Sequence, residues 1–171
     1  MVIALVGYRG SGKTTIGRKL ADRLWTKFVD LDELIVKKAG KQIREIFEQY
    51  GEGHFRDLES EALRQALEEE DIVLGLGGGT PIREENRQLV RQRAGKTIYL
   101  RCDPEVLRAR IEADVATAAN RPSLTSLGGG LEEIKLVLAQ REPFYRQMKD
   151  IEVDVTKLTP DEAVARIARL L

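Results

Sequence analysis

The chain has one cysteine, one histidine and one tryptophan. A lone Cys102 excludes an internal disulfide and fits a reducing compartment. One histidine with one cysteine does not supply a tetrahedral zinc site, and His54 has no sequence partner that would make it half of a nucleophile–base pair. Cys102 is therefore read as a small apolar residue at a strand end, and His54 as structural. No apolar run approaches the ~20 residues needed to cross a bilayer. Net charge is absent as well, because 28 Lys and Arg balance 28 Asp and Glu. Without a global positive field there is nothing to draw the chain to nucleic acid or a membrane surface, so any anion site must be local. The first strand pattern begins at Val2 and leaves no room for a signal peptide. The expectation is a cytoplasmic, soluble protein with no nucleic-acid or membrane partner.

Short apolar runs alternate with helical patterns from end to end. Strands are predicted at Val2–Val6, Phe28–Leu31, Ile72–Leu76, Thr97–Leu100 and Ile151–Val155. Helices are predicted at Lys13–Leu24, Asp32–Lys38, Ile43–Tyr50, Phe55–Glu69, Glu84–Gln92, Pro104–Ala113, Leu131–Met148 and Pro160–Leu170. Such alternation means an α/β domain with a parallel sheet covered on both faces. With 171 residues and no linker or repeat, one domain is expected. Two stretches interrupt the rhythm: a helical insertion over 33–69, and a polar, glycine-rich stretch over 114–130 that reads as a lid.

Gly7-Tyr8-Arg9-Gly10-Ser11-Gly12-Lys13-Thr14 fits G-x-x-x-x-G-K-[ST] without mismatch, after an apolar strand and before an amphipathic helix. Backbone N–H groups of Gly10, Ser11, Gly12, Thr14 and Thr15 can cradle phosphate at a helix N-terminus. Lys13 should reach the outer phosphates, and the Thr14 hydroxyl should ligate Mg²⁺. A nucleoside triphosphate is thus one partner.

In parallel sheets ligands bind beyond the carboxyl ends of the strands, so residues there carry the chemistry. The second strand ends in Asp30-Leu31-Asp32. One carboxylate would serve Mg²⁺ and the other a substrate hydroxyl, unless Asp32 merely caps the next helix. The third strand ends in Gly77-Gly78-Gly79, either a tight turn or a place where a ligand approaches the backbone. Arg56 and Glu59 form either a plain surface pair or a guanidinium held ready for a carboxylate. Arg121 falls in the lid and Arg141 in the following helix. Trp25 and Phe28 read as core or surface apolar residues, and Glu68–Asp71 as a solvated helix end.

Together these motifs resemble the shikimate kinase family. The resemblance rests on the glycine loop, Asp30-Leu31-Asp32, Gly51-Glu52 through Phe55-Arg56 to Glu59, Gly77–Gly79, Arg121-Pro122, and Arg141-Glu142-Pro143-Phe144-Tyr145, in that order over nearly the whole chain. It implies a three-layer α/β/α fold like that of the nucleoside monophosphate kinases, with a five-stranded parallel sheet in the order 2-3-1-4-5. It implies transfer of the ATP γ-phosphoryl to the 3-hydroxyl of shikimate, toward chorismate and the aromatic amino acids, by a monomer. Asp32 would hold that hydroxyl and take its proton. Arg56 and Arg141 would clamp the shikimate carboxylate beside the backbone of Gly78 and Gly79. Arg121 would close over the ATP phosphates and act with Lys13, and Asp30 would serve Mg²⁺ through water.

Two features depart from the family pattern: the lid is longer, and Leu158 stands where an arginine often precedes the proline near adenine. The acidic residue that ends the third strand of many P-loop proteins is absent too, which agrees with the family pattern, where Asp30 can serve the metal. For adenine the candidates are Arg110, Lys157 and Pro160. The rival readings are a gluconate kinase on the same fold and a nucleotide-dependent switch. The absence of any Asn-Lys dipeptide speaks against a guanine-specific switch.

Overall fold

Val2–Val6, the apolar run before the glycine loop, forms strand β1, and all five residues are buried. A strand with no polar face must be covered on both sides, and β1 takes the centre of the sheet. The computed structural model describes residues 1–114 and 123–171. Around β1 lie β2 (Lys27–Asp30), β3 (Ile72–Gly75), β4 (Lys96–Arg101) and β5 (Ile151–Asp154). Every pairing is parallel and the order is β2-β3-β1-β4-β5, as the resemblance implied. The register sets Asp30 and Leu5 beside Gly75, which brings the carboxyl ends of β2, β3 and β1 to one edge.

Helix α1 (Lys13–Arg23) leaves the glycine loop and turns Ile16, Leu20 and Ala21 into the core. Gly17 lets it lie close over β2, because a Cβ there would stand 2.3 Å from the Phe28 ring. The insertion is α2 (Leu31–Ala39) and α3 (Ile43–Ala66). The two helices predicted across 43–69 are both present, and they meet at a kink where only Gly51, at φ 83° and ψ 173°, leaves the helical region. One glycine absorbs the whole bend, since a positive φ costs it nothing in side-chain clash.

A 3₁₀ turn (Thr80–Ile82) leads into α4 (Glu84–Arg93), and α5 (Pro104–Ala113) follows β4. Helix α6 (Leu131–Met148) packs against α5 and α4, and α7 (Pro160–Leu170) against α1. The entry to α7 is fixed by a capping box between Thr159 and Glu162, with Pro160 in the first turn. Among the described residues no helix is long and apolar enough to cross a membrane.

Local geometry decides where several of the residues singled out above stand. The second strand stops at Asp30, not Leu31, because Asp30 already caps α2. Trp25 is 96% exposed and carries a positive φ of 56°, so it is a surface residue outside the core. Cys102 is buried, and burial pushes its thiol up, as suits a small apolar residue. His54 lies on the surface against the Tyr50 ring. Of the expected lid, residue 114 and residues 123–130 are described, and Arg121 lies outside the described residues.

Candidate active site

The glycine loop is shaped by its own backbone. Gly10 and Gly12 have φ of 84° and 94°, values a side chain would strain. Lys13 Nζ donates to the carbonyls of Gly7 at 2.7 Å and Tyr8 at 3.0 Å, which braces the curl from inside. Gly10, Gly12, Lys13, Thr14 and Thr15 line the floor of a cavity. Ser11 does not join them. Its side chain is fully buried and its N–H donates to the Tyr8 carbonyl at 3.1 Å.

Asp30 and Asp32 face the same cavity but do different work. The cap of α2 is Asp30, not Asp32. Asp30 Oδ1 accepts from the N–H of Asp32 at 3.0 Å and of Glu33 at 3.3 Å. Its other oxygen, Oδ2, accepts from the Thr14 hydroxyl at 2.9 Å. A hydroxyl and a carboxylate side by side next to a phosphate cradle are hard oxygen donors of the kind Mg²⁺ takes, with the remaining positions left for water and phosphate.

Asp32 stands in the first turn of α2 and lines a second cavity as well, shared across Arg9, Gly77 and Gly78. The walls of that second cavity are Arg56 and Arg141 on one hand, and Ile43, Phe47, Phe55 and Leu124 on the other. It therefore offers cations for an anionic group and an apolar face for a ring.

The Arg56–Glu59 pair is no surface salt bridge. Arg56 Nη1 meets Glu59 Oε1 at 2.8 Å with the two side chains 10% and 1% exposed. Glu59 Oε2 accepts from the buried Thr80 hydroxyl at 2.8 Å. Burial pushes the Glu59 carboxyl up, while Arg56 and Thr80 pull the other way. The guanidinium also lies over the Phe55 ring. Held on so many sides, it is preorganised.

Gly77 and Gly79 make room for these side chains. A Cβ on Gly79 would come within 2.4 Å of Arg56 Nη2, and one on Gly77 within 2.9 Å of Glu59 Oε2 and 3.1 Å of Asp32 Oδ1. On the opposite wall the fully buried Tyr145 hydroxyl donates to the Gly78 carbonyl at 2.6 Å. Arg141 stands beside the same segment, its Nη1 3.5 Å from where a Gly78 Cβ would be.

A third hollow continues the trench past Gly12, Thr15 and Arg110 to Ile16, Val155, Leu158 and Pro160. Arg110 is fixed there by a bond to the Val155 carbonyl at 3.2 Å. Lys157, the remaining adenine candidate, is exposed and outside this lining.

A family model for shikimate kinase matches residues 9–171. A shikimate kinase of Rhodopirellula baltica is 40% identical over 165 residues, covering 96% of this chain and 87% of that protein. The chain belongs to the shikimate kinase family. A solved shikimate kinase from Acinetobacter baumannii, in complex with shikimate, superposes with a TM-score of 0.91 at 32% identity, over 99% of this chain and 91% of that one. A gluconokinase from Sinorhizobium meliloti reaches a TM-score of 0.66 at 21% identity, over 99% of this chain and 92% of that one, which shows a shared fold alone.

Within this shikimate kinase framework, some cavity residues escape a reading of the sequence. Arg9 is an unspecified position of the loop motif, yet it borders both the phosphate and the second cavity. Ile43 and Phe47, in the part of α3 before the bend, line the second cavity, which helical periodicity alone does not tell from core packing. Tyr145 was legible as part of a segment, but not its bond to Gly78, which joins residues 67 apart in sequence.

Proposed function

We propose that this chain transfers the γ-phosphoryl of ATP to the 3-hydroxyl of shikimate, giving 3-phosphoshikimate and ADP on the route to chorismate and the aromatic amino acids. The observation that carries this reading is the position of Asp32, where a phosphate cavity and a cavity with two arginines and an apolar face meet. A donor phosphate and an acceptor hydroxyl brought to that junction lie on either side of one carboxylate.

Each part of the trench then has a role. Lys13 and the N–H groups at the start of α1 hold the triphosphate. Thr14 and Asp30 would hold Mg²⁺, which when bound neutralises charge on the phosphates. Arg56 and Arg141 grip the shikimate carboxylate from two sides, next to Gly78 and Gly79, while Phe47 and Phe55 cover the ring. Asp32 accepts the proton of the attacking hydroxyl as the O–P bond forms and the bond to ADP breaks. Positioning supplies most of the acceleration, because phosphoryl transfer needs little covalent help from the protein. Arg110 and Pro160 flank the base. The 33–69 insertion carries the acceptor walls, 114–130 covers the site with Arg121 on the phosphates, and the whole chain works as one domain, a cytoplasmic monomer.

The gluconate reading has no comparable support, since an apolar face of Ile43, Phe47, Phe55 and Leu124 suits a carbocycle better than an open polyol chain. A coupled ADP-release assay with shikimate, gluconate and a nucleoside monophosphate decides the matter. Turnover is expected with shikimate alone; turnover on gluconate without shikimate activity would overturn the proposal.

A further inference from the structure

Residues 123–130 reach the acceptor cavity through one side chain, Leu124, which forms part of its apolar wall and is 37% exposed. The next residue, Thr125, is gripped by a buried carboxylate. Glu133, in the first turn of α6 and 4% exposed, accepts from the Thr125 N–H at 2.6 Å and from the Thr125 hydroxyl at 2.9 Å, both on Oε1. The same hydroxyl accepts from the Leu127 N–H at 3.1 Å, which closes the turn. Gly128 and Gly129, with φ of 82° and 87°, bring the chain back to α6. Gly129 also lies close to Glu133, where a Cβ would stand 3.6 Å from Oε2. A hollow lined by Tyr8, Arg9, Leu124 and Glu133 joins this turn to the glycine loop.

A carboxylate is costly to bury unless it is hydrogen-bonded, and the two bonds that Thr125 gives Oε1 exist only in one placement of the turn. The first turn of α6 favours the negative charge further. A surface loop that needed only to connect two helices would not require such a group.

We infer that Glu133 is a positioning residue for the acceptor: by holding Thr125 it fixes Leu124 against the ring of the substrate. The inference rests on the acceptor reading above and adds a residue that touches neither substrate nor phosphate. Its effect therefore falls on acceptor binding rather than on the nucleotide.

The experiment is steady-state kinetics with both substrates varied, on the full chain. Glu133→Ala and Thr125→Val should raise KM for shikimate about tenfold or more, with KM for ATP within about twofold of the parent enzyme. Thr125→Ser keeps the hydroxyl and should behave like the parent, and Glu133→Gln keeps one acceptor oxygen and should fall between. The Glu133→Ala/Thr125→Val double variant should be no worse than either single one, because both remove the same bonds. Glu132→Gln, exposed and one residue away, is the control. An unchanged KM for shikimate in a folded Glu133→Ala enzyme would overturn the inference. So would a parallel rise in both KM values with a lowered melting temperature, which marks a merely structural role. If the parent enzyme itself fails to phosphorylate shikimate, it is the proposed function that has failed.

Discussion

Asp32 and Glu59 are two carboxylates on either side of Gly77, and their surroundings assign them different work. Glu59 is spent on Arg56 and Thr80, which leaves Asp32 as the carboxylate at the junction of the cavities. Asp32→Asn keeps the shape and removes the base, so kcat should fall by roughly 10²-fold or more with little change in shikimate affinity, checked by turnover and calorimetry. A near-normal kcat would refute the role. Glu59 has a different signature. Burial raises its pKa above that of the unfolded chain, so the folded state keeps the proton longer. Its contribution to stability is then full below the ordinary carboxylate value and is lost as pH rises through the raised one. Glu59→Gln should remove this decline, giving a flatter stability profile across weakly acidic pH by urea denaturation. Parallel profiles for the two proteins would show that another group titrates. Sequence alone could name the Arg56–Glu59 pair but not its burial, because three-residue spacing on a helix is the same at the surface and in the core.

At the scale of elements, the strands and most helices were legible, because all-apolar runs such as Val2–Val6 alternate with amphipathic helices. The sheet order was not contained in that alternation; it came from the motifs and their resemblance. What remained hidden was how local geometry divides labour. In Asp30-Leu31-Asp32 the sequence offered Asp32 as the helix cap, but the strand ends one residue early and Asp30 takes that place. In Gly77–Gly79 the requirement comes from side chains of α2 and α3, which the segment itself does not reveal. The bend at Gly51 is the clearest element-scale device: it separates the half of α3 that carries Phe47 from the half that carries Phe55 and Arg56. Gly51→Ala would place a Cβ at φ 83° and ψ 173°, a region essentially confined to glycine, at a cost of about 1–3 kcal/mol. There is open space around it, so the cost is conformational rather than steric. A lower urea midpoint and a higher KM for shikimate are expected together, with KM for ATP unchanged. If only the midpoint moves, the bend does not set the acceptor walls.

For the molecule as a whole, the trench has two ends that can be disabled separately. The phosphate end is built on α1 and the end of β2, and the acceptor end on α3, α6 and the segment after β3. Shikimate at about a hundred times its Kd should stabilise the fold by ~2.7 kcal/mol, a rise of several degrees in melting temperature. Arg56→Ala should abolish that rise and keep the one given by ADP with Mg²⁺. Lys13→Ala should do the reverse. Loss of both responses in both variants would mean that the ends are not independent.

The lysine of the glycine loop already has two carbonyls as partners, at Gly7 and Tyr8. A phosphate drawing on that amine enters as a competitor, and binding becomes a substitution of oxygens around one nitrogen. The affinity for nucleotide then measures a difference between two well-formed arrangements. The same contacts give the loop a built-in counter-ligand, so that its curl does not depend on the nucleotide and the site is already shaped when the triphosphate arrives.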